Sequence, residues 1–202
     1  MKPSAFQYHR PATVSEAVQL LSTLDNAKLL AGGQSLMPMM NFRAVMADHV
    51  IDLNGIAELS GISLRDGRLH IGAMTRQRDI EHSPLVAEHC PLLVEAYHQV
   101  GHRQTRNRGT LGGSIAHADP CAELPTVAQM LDAVMRVRDR SADAGTSRES
   151  ALSRRGGGSA AMVKRRRSAL MDNTPEEALP PSLRFLKGLV MTLTGVMILG
   201  VL

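Results

Sequence analysis

Ala31-Gly32-Gly33-Gln34-Ser35-Leu36 and Thr110-Leu111-Gly112-Gly113-Ser114-Ile115 decide how this chain reads. Each pairs two glycines with a small hydroxyl residue after an apolar run, and His117-Ala118-Asp119-Pro120 closely follows the second. Paired glycines leave backbone N–H groups bare, so an anion can approach with no Cβ in the way. One Gly-Gly pair is more often only a turn. Two segments of the same chemistry in one short region point to a dinucleotide pyrophosphate gripped from both sides.

The sequence around these segments predicts short strands and helices. Thr13 and Glu16 make a capping box ahead of Val14, Ala17, Val18 and Leu21, which share one helical face ending near Leu24. Lys28–Ala31 reads as a buried strand running into the first glycine segment, and His49–Leu53 as another, closed by the turn signal Asn54-Gly55. Ser63–Arg65 and Arg68–Gly72 alternate about Asp66-Gly67, a hairpin signal. Thr75 is placed to cap a helix through His82, and a second helix from Pro91 to Val100 would turn Leu92, Leu93 and Ala96 inward and stop at Gly101. A further helix is expected over Glu123–Met135. Hairpins mixed with helices predict an α+β layout rather than a doubly wound sheet.

Three quoted stretches carry a family resemblance: Phe6-Gln-Tyr-His-Arg-Pro-Ala-Thr-Val-Ser-Glu-Ala-Val18, Leu30-Ala-Gly-Gly-Gln-Ser-Leu-Met-Pro38, and Gln104-Thr-Arg-Asn-Arg-Gly-Thr-Leu-Gly-Gly-Ser-Ile-Ala-His-Ala-Asp-Pro-Cys-Ala-Glu-Leu-Pro125. Residues 1–135 resemble the start of the medium, flavin-carrying subunit of molybdenum hydroxylases of the carbon monoxide dehydrogenase and xanthine dehydrogenase type. The resemblance implies the N-terminal part of a PCMH-type FAD-binding domain, with FAD as cofactor. It implies that Ala31, Gly32, Gly33, Gln34, Ser35 and Leu36, together with Thr110, Gly112, Gly113 and Ser114, hold the pyrophosphate. Asp119 and Glu123 would accept hydrogen bonds from sugar or ribityl hydroxyls, with helix capping after Pro120 as the competing role. The implied partners are an iron–sulfur subunit that delivers electrons and a molybdopterin-binding large subunit that oxidises substrate. Side-chain catalysis is not indicated, because the flavin would carry the redox chemistry.

Charge and composition divide the chain. Residues 1–135 carry 11 basic against 13 acidic side chains, whereas residues 136–170 carry 10 against 3, so the net +4 comes from one internal stretch. Two cysteines, Cys90 and Cys121, are too few for a disulfide framework and fit a reducing compartment. Met1–Arg10 lacks an apolar signal core, so a cytoplasmic location is expected. Two Tyr, three Phe and no Trp leave little from which to build a base-stacking platform, and no nucleic acid is expected. His117, Asp119 and Cys121 alternate, but Pro120 interrupts them and no fourth ligand is nearby, so no metal is expected. Arg103, Arg106 and Arg108 read as a solvated basic turn or as counter-charge for a diphosphate.

Residues 136–170, rich in Arg, Gly and Ser, have almost no large apolar side chain and predict a disordered linker. Residues 171–202 end in an uncharged stretch from Gly188 to Leu202, expected as an apolar helix. It either docks on the domain or forms an incomplete membrane helix that contacts the bilayer through residues 188–202. Met171-Asp-Asn-Thr-Pro-Glu-Glu reads as a fresh N-terminus, and this tail weakly resembles the start of small single-span bacterial proteins. An alternative reading of the whole chain is therefore an inactive frameshifted or fused fragment. A further alternative is a binder of nucleic acid or anionic membrane acting through Arg154–Arg167.

Overall fold

The computed structural model describes residues 1–138 together with the strands at 148–152 and 163–165. It opens on a three-stranded parallel sheet, β1 (Gln7–His9), β2 (Ala27–Leu30) and β3 (His49–Asp52), in the order β1-β3-β2. Central β3 pairs Val50 with both Tyr8 and Lys28. The sequence holds no strand signal at β1, whose three residues are mostly exposed. It exists because the free edge of β3 offers hydrogen bonds.

Between β1 and β2 runs α1 (Val14–Thr23), begun by the expected cap: Thr13 Oγ1 accepts from Glu16 N at 3.2 Å. Glu16 reaches back to Ala12 N at 2.8 Å, one residue before the reciprocal partner of a standard capping box. Val14 and Ala17 are fully buried against Ile51, Leu53, Ile56, Leu59 and Met74, one of the two main cores. A short helix, α2 (Leu36–Asn41), links β2 to β3.

The hairpin forms as expected between β4 (Ile62–Arg65) and β5 (Arg68–Ile71), with Asp66 at φ 50° and Gly67 at φ 70° in its turn. Both central residues have the positive φ that a two-residue type I′ turn requires. Six helices follow: α3 (Gln77–Glu81), α4 (Pro84–His89), α5 (Pro91–Gln99), α6 (Arg103–Arg108), α7 (Leu111–His117) and α8 (Glu123–Met130). The inner faces of all but α6, with β5 and the next strand, make the second and larger core around Ile80, Leu93, Tyr97, Leu111 and Leu124. This is the expected α+β layout.

Several local readings are corrected. Thr75 does not cap α3, whose N-cap position is Arg76. The Thr75 hydroxyl is occupied by Gly61, accepting from its N at 2.9 Å and donating to its O at 3.1 Å. In α5, Leu93 is buried as expected and Tyr97 joins it, while Leu92 and Ala96 are only half-buried against the same core; Gly101 sits just past the helix at φ 46°. Helix α4, not anticipated, carries a readable signal: Ser83 caps it, accepting from Val86 N, and Pro84 occupies its first position. Arg103–Arg108 is a helix rather than a turn.

The helix expected over Glu123–Met135 ends at Met130, and β6 (Val134–Val137) takes over. Asp132 lies at φ 48°, its N donates to Gln129 O and Ala133 N donates to Ala128 O, a Schellman ending. No glycine marks this stop, so the sequence conceals it. Strand β6 pairs antiparallel with β7 (Arg148–Leu152), which pairs with β8 (Val163–Arg165). Strand pairing thus continues into the stretch expected as a disordered linker. The rest of that linker (139–147, 153–162 and 166–170) and the apolar tail over 171–202 lie outside the described residues. Among the described residues, no helix is long and apolar enough to cross a membrane.

Candidate functional site

The fold brings the two glycine segments, about 80 residues apart, into direct contact. A Cβ built on Gly32 would run into Arg108 O and come within 2.7 Å of Gly109 Cα; one on Gly113 would come within 3.3 Å of the Ala31 Cβ. Backbone therefore touches backbone, which only glycine permits at such range. Gly33 turns the chain at φ 72°.

The segments differ in what they offer. In the first, the N–H groups of Gly32, Gly33, Gln34 and Ser35 donate to no acceptor among the described residues. Ser35 stands at the start of α2 with its hydroxyl making no capping bond, and Gln34 is exposed with Nε2 donating to Gly32 O at 3.3 Å. Leu36 packs half-buried beside Met40 and Val50.

The second segment is the first turn of α7 rather than a loop. Buried Thr110 caps that helix, its hydroxyl accepting from Gly113 N at 3.1 Å. Leu111 N donates to Thr75 O at 3.2 Å, Gly112 N to Ala73 O at 2.8 Å and Ser114 N to Thr110 O at 3.2 Å. Its backbone donors are thus engaged, and it presents the bare glycine surface and the half-buried Ser114.

Asp119 and Glu123 lie beyond the far end of α7, with Asp119 roughly 10 Å along the helix from Gly112 at 1.5 Å per residue. The Asp119 carboxylate accepts from Cys121 N at 2.9 Å, a local turn bond, while Glu123 is half-buried in the first turn of α8. His117 and Cys121 are exposed. Of the three arginines before the second segment, Arg106 is structural. It forms a forked pair with the half-buried Glu81, at 2.8 and 3.2 Å, and donates to Val100 O. That hydrogen bond holds the Glu81 carboxyl below its ordinary value despite burial.

Three site residues have no local sequence signal. Asp52, at the end of β3, accepts from Tyr8 Oη at 2.5 Å and from Asn54 N at 2.9 Å. Burial works to raise the Asp52 carboxyl, but these bonds outweigh it and lower it. Asn54, read above only as a turn residue, donates to Ala31 O, and Arg76 donates to both Asn54 Oδ1 and Arg108 O. Burial, and after it the nearby Arg108, lowers Arg76 from its ordinary value, yet a guanidinium stays charged at neutral pH. Asn54 and Arg76 also line an open pocket of about 330 Å³ with Ser60, Thr75 and Asp79. Their partners are 22 to 32 residues away in sequence, so only the fold exposes them.

A family profile described as "FAD binding domain in molybdopterin dehydrogenase" matches residues 4–152. The carbon monoxide dehydrogenase medium chain of Hydrogenophaga pseudoflava is 47% identical over 134 residues, which is 66% of this chain and 47% of that one. The 6-hydroxypseudooxynicotine dehydrogenase complex subunit alpha of Paenarthrobacter nicotinovorans is 44% identical over 134 residues, 66% of this chain and 45% of that one. Among solved structures, carbon monoxide dehydrogenase from Hydrogenophaga pseudoflava superposes with a TM-score of 0.70 at 43% identity, covering 74% of this chain and 51% of that one. Quinoline 2-oxidoreductase from Pseudomonas putida 86 gives 0.71 at 39% identity, covering 75% and 52%. The chain thus spans about half the length of these relatives. The profile continues past residue 135 through β7, in step with the strand pairing there. With its paired glycine segments, its α+β layout and these matches all agreeing, the chain belongs to the family of FAD-binding domains in molybdopterin dehydrogenases.

Proposed function

We propose that this chain holds FAD at the contact between its two glycine segments, as part of the electron-transfer subunit of a molybdenum-containing hydroxylase or dehydrogenase. The observation that carries the reading is the row of free backbone N–H groups from Gly32 to Ser35, set against the bare surface of Gly112 and Gly113. Those four donors and the Ser35 hydroxyl bind and orient the pyrophosphate. Ala31 and Leu36 fix the ends of the segment by packing, and Gln34 lies exposed beside it. Thr110 holds the helical turn that presents Gly112, Gly113 and Ser114. Asp119 and Glu123 are assigned to sugar or ribityl hydroxyls; Asp119 keeps one carboxylate oxygen free of its turn bond for this.

FAD, when bound, supplies the redox chemistry. The chain's own share is binding and orientation. An iron–sulfur subunit would deliver electrons from a molybdopterin-binding large subunit in the cytoplasm. The test is titration of FAD into the full 202-residue chain, followed by the quenching of flavin fluorescence. Saturable one-to-one binding supports the reading, and no binding at micromolar FAD contradicts it.

A further inference from the structure

Asn54 uses every hydrogen-bonding atom of its side-chain amide. Its Nδ2 donates to Ala31 O at 3.0 Å and to the Asp52 carboxylate, while its Oδ1 accepts from Arg76 Nη2 at 2.6 Å. The other arm of that guanidinium, Nη1, donates to Arg108 O, the same carbonyl that a Cβ on Gly32 would strike. One planar fork thus reaches the first glycine segment through Asn54 and the approach to the second through Arg108. Asp52 is itself held by Tyr8, so the connection is anchored in the central strand β3. A guanidinium presents donors in a rigid plane, and a lysine ammonium on its flexible stem does not reproduce such a bridge.

We propose that Arg76 and Asn54 form a clamp that sets the spacing of the two glycine segments and, through it, the affinity for FAD; the second half rests on the FAD reading above. Both are positioning residues, and neither needs to touch the cofactor. A clamp acts as a unit: breaking either arm releases both segments, so a second break adds little.

The test uses the full 202-residue chain as wild type, Arg76→Lys, Arg76→Ala, Asn54→Ala and the double alanine variant. Amide hydrogen exchange is measured without FAD, and FAD affinity by fluorescence quenching. The informative amides are Met37, bonded to Gly33 O, and Gln77, bonded to Gly109 O, with Cys90, bonded to Val86 O, as the remote control. In each single variant Met37 and Gln77 exchange faster together, by about tenfold, while Cys90 keeps its rate. The Kd for FAD rises about tenfold in each, the double variant is no weaker than the weaker single, and Arg76→Lys is no better than Arg76→Ala.

Faster exchange at only one of the two amides overturns the clamp, as does a double variant whose loss is the product of the singles. Wild-type affinity in Arg76→Lys assigns the effect to charge alone and also overturns it. If the wild-type chain binds no FAD, the FAD reading falls, and the exchange rates by themselves decide the clamp.

Discussion

Replacing Gly32 with alanine adds one methyl group where the two glycine segments meet. The new Cβ would lie 2.7 Å from Gly109 Cα and 3.0 Å from the Arg108 carbonyl carbon, all of it backbone. Ordinary carbon–carbon contact is about 3.5–4.0 Å, so the segments must separate by roughly 1 Å. No flexible side-chain tip can yield in their place, and overpacking of this kind costs about 1–3 kcal/mol of stability. The same displacement carries the N–H groups of Gly32 to Ser35 out of register with the surface of Gly112 and Gly113. Losing one or two charge-assisted hydrogen bonds to a pyrophosphate, at about 1.5–3 kcal/mol each, weakens FAD by at least roughly tenfold. The assay is thermal unfolding by circular dichroism alongside FAD titration of the same preparation. Gly67→Ala is the control: its φ of 70° strains any side chain, but no atom lies within 4 Å, so it loses stability without losing FAD affinity. A Gly32→Ala variant with wild-type melting temperature and wild-type FAD affinity would refute the packing of the two segments described above.

Other substitutions separate the site from the scaffold. Gly33→Val and Gly113→Val should each abolish FAD binding, the first through its positive φ and the second by pressing on Thr110 Oγ1 at 2.8 Å; retained binding in both would move the site elsewhere. Tyr97→Phe should leave stability equal or higher, because the buried Tyr97 hydroxyl has no partner among the described residues, and a loss above about 1 kcal/mol in urea unfolding would contradict this. Glu81→Gln should cost about 3 kcal/mol at pH 7 by stranding Arg106. Since the folded-state Glu81 carboxyl lies below its ordinary 4.5, the wild-type advantage is full above that pH and fades as pH falls through the lowered value; an unchanged gap at pH 2 would count against the pairing. Tyr8→Phe should follow the same sign through Asp52, with the stability difference present above pH 3.8 and lost below it, as read from melting curves across pH.

Local chemistry made much of this protein legible in advance. The Thr13 cap, the Asp66-Gly67 hairpin, the Gly101 stop and the two glycine segments are properties of a few adjacent residues, and each acts through backbone atoms within one turn. Sequence alone also carried the family resemblance, because residues 30–38 and 104–125 are contiguous motifs. Tertiary structure decided what those residues do to one another. It turned Thr75 from a helix cap into a partner of Gly61, made the second glycine segment the opening turn of α7, and ended α8 at Met130 with Asp132 rather than a glycine in the left-handed position. It alone joined Gly32 to Gly109 and linked Asn54 to Arg76, contacts between residues 22 to 77 positions apart. The physical reason is that a hydroxyl, an amide or a guanidinium bonds to whichever partner packing delivers, and packing is settled by the two cores rather than by neighbours along the chain.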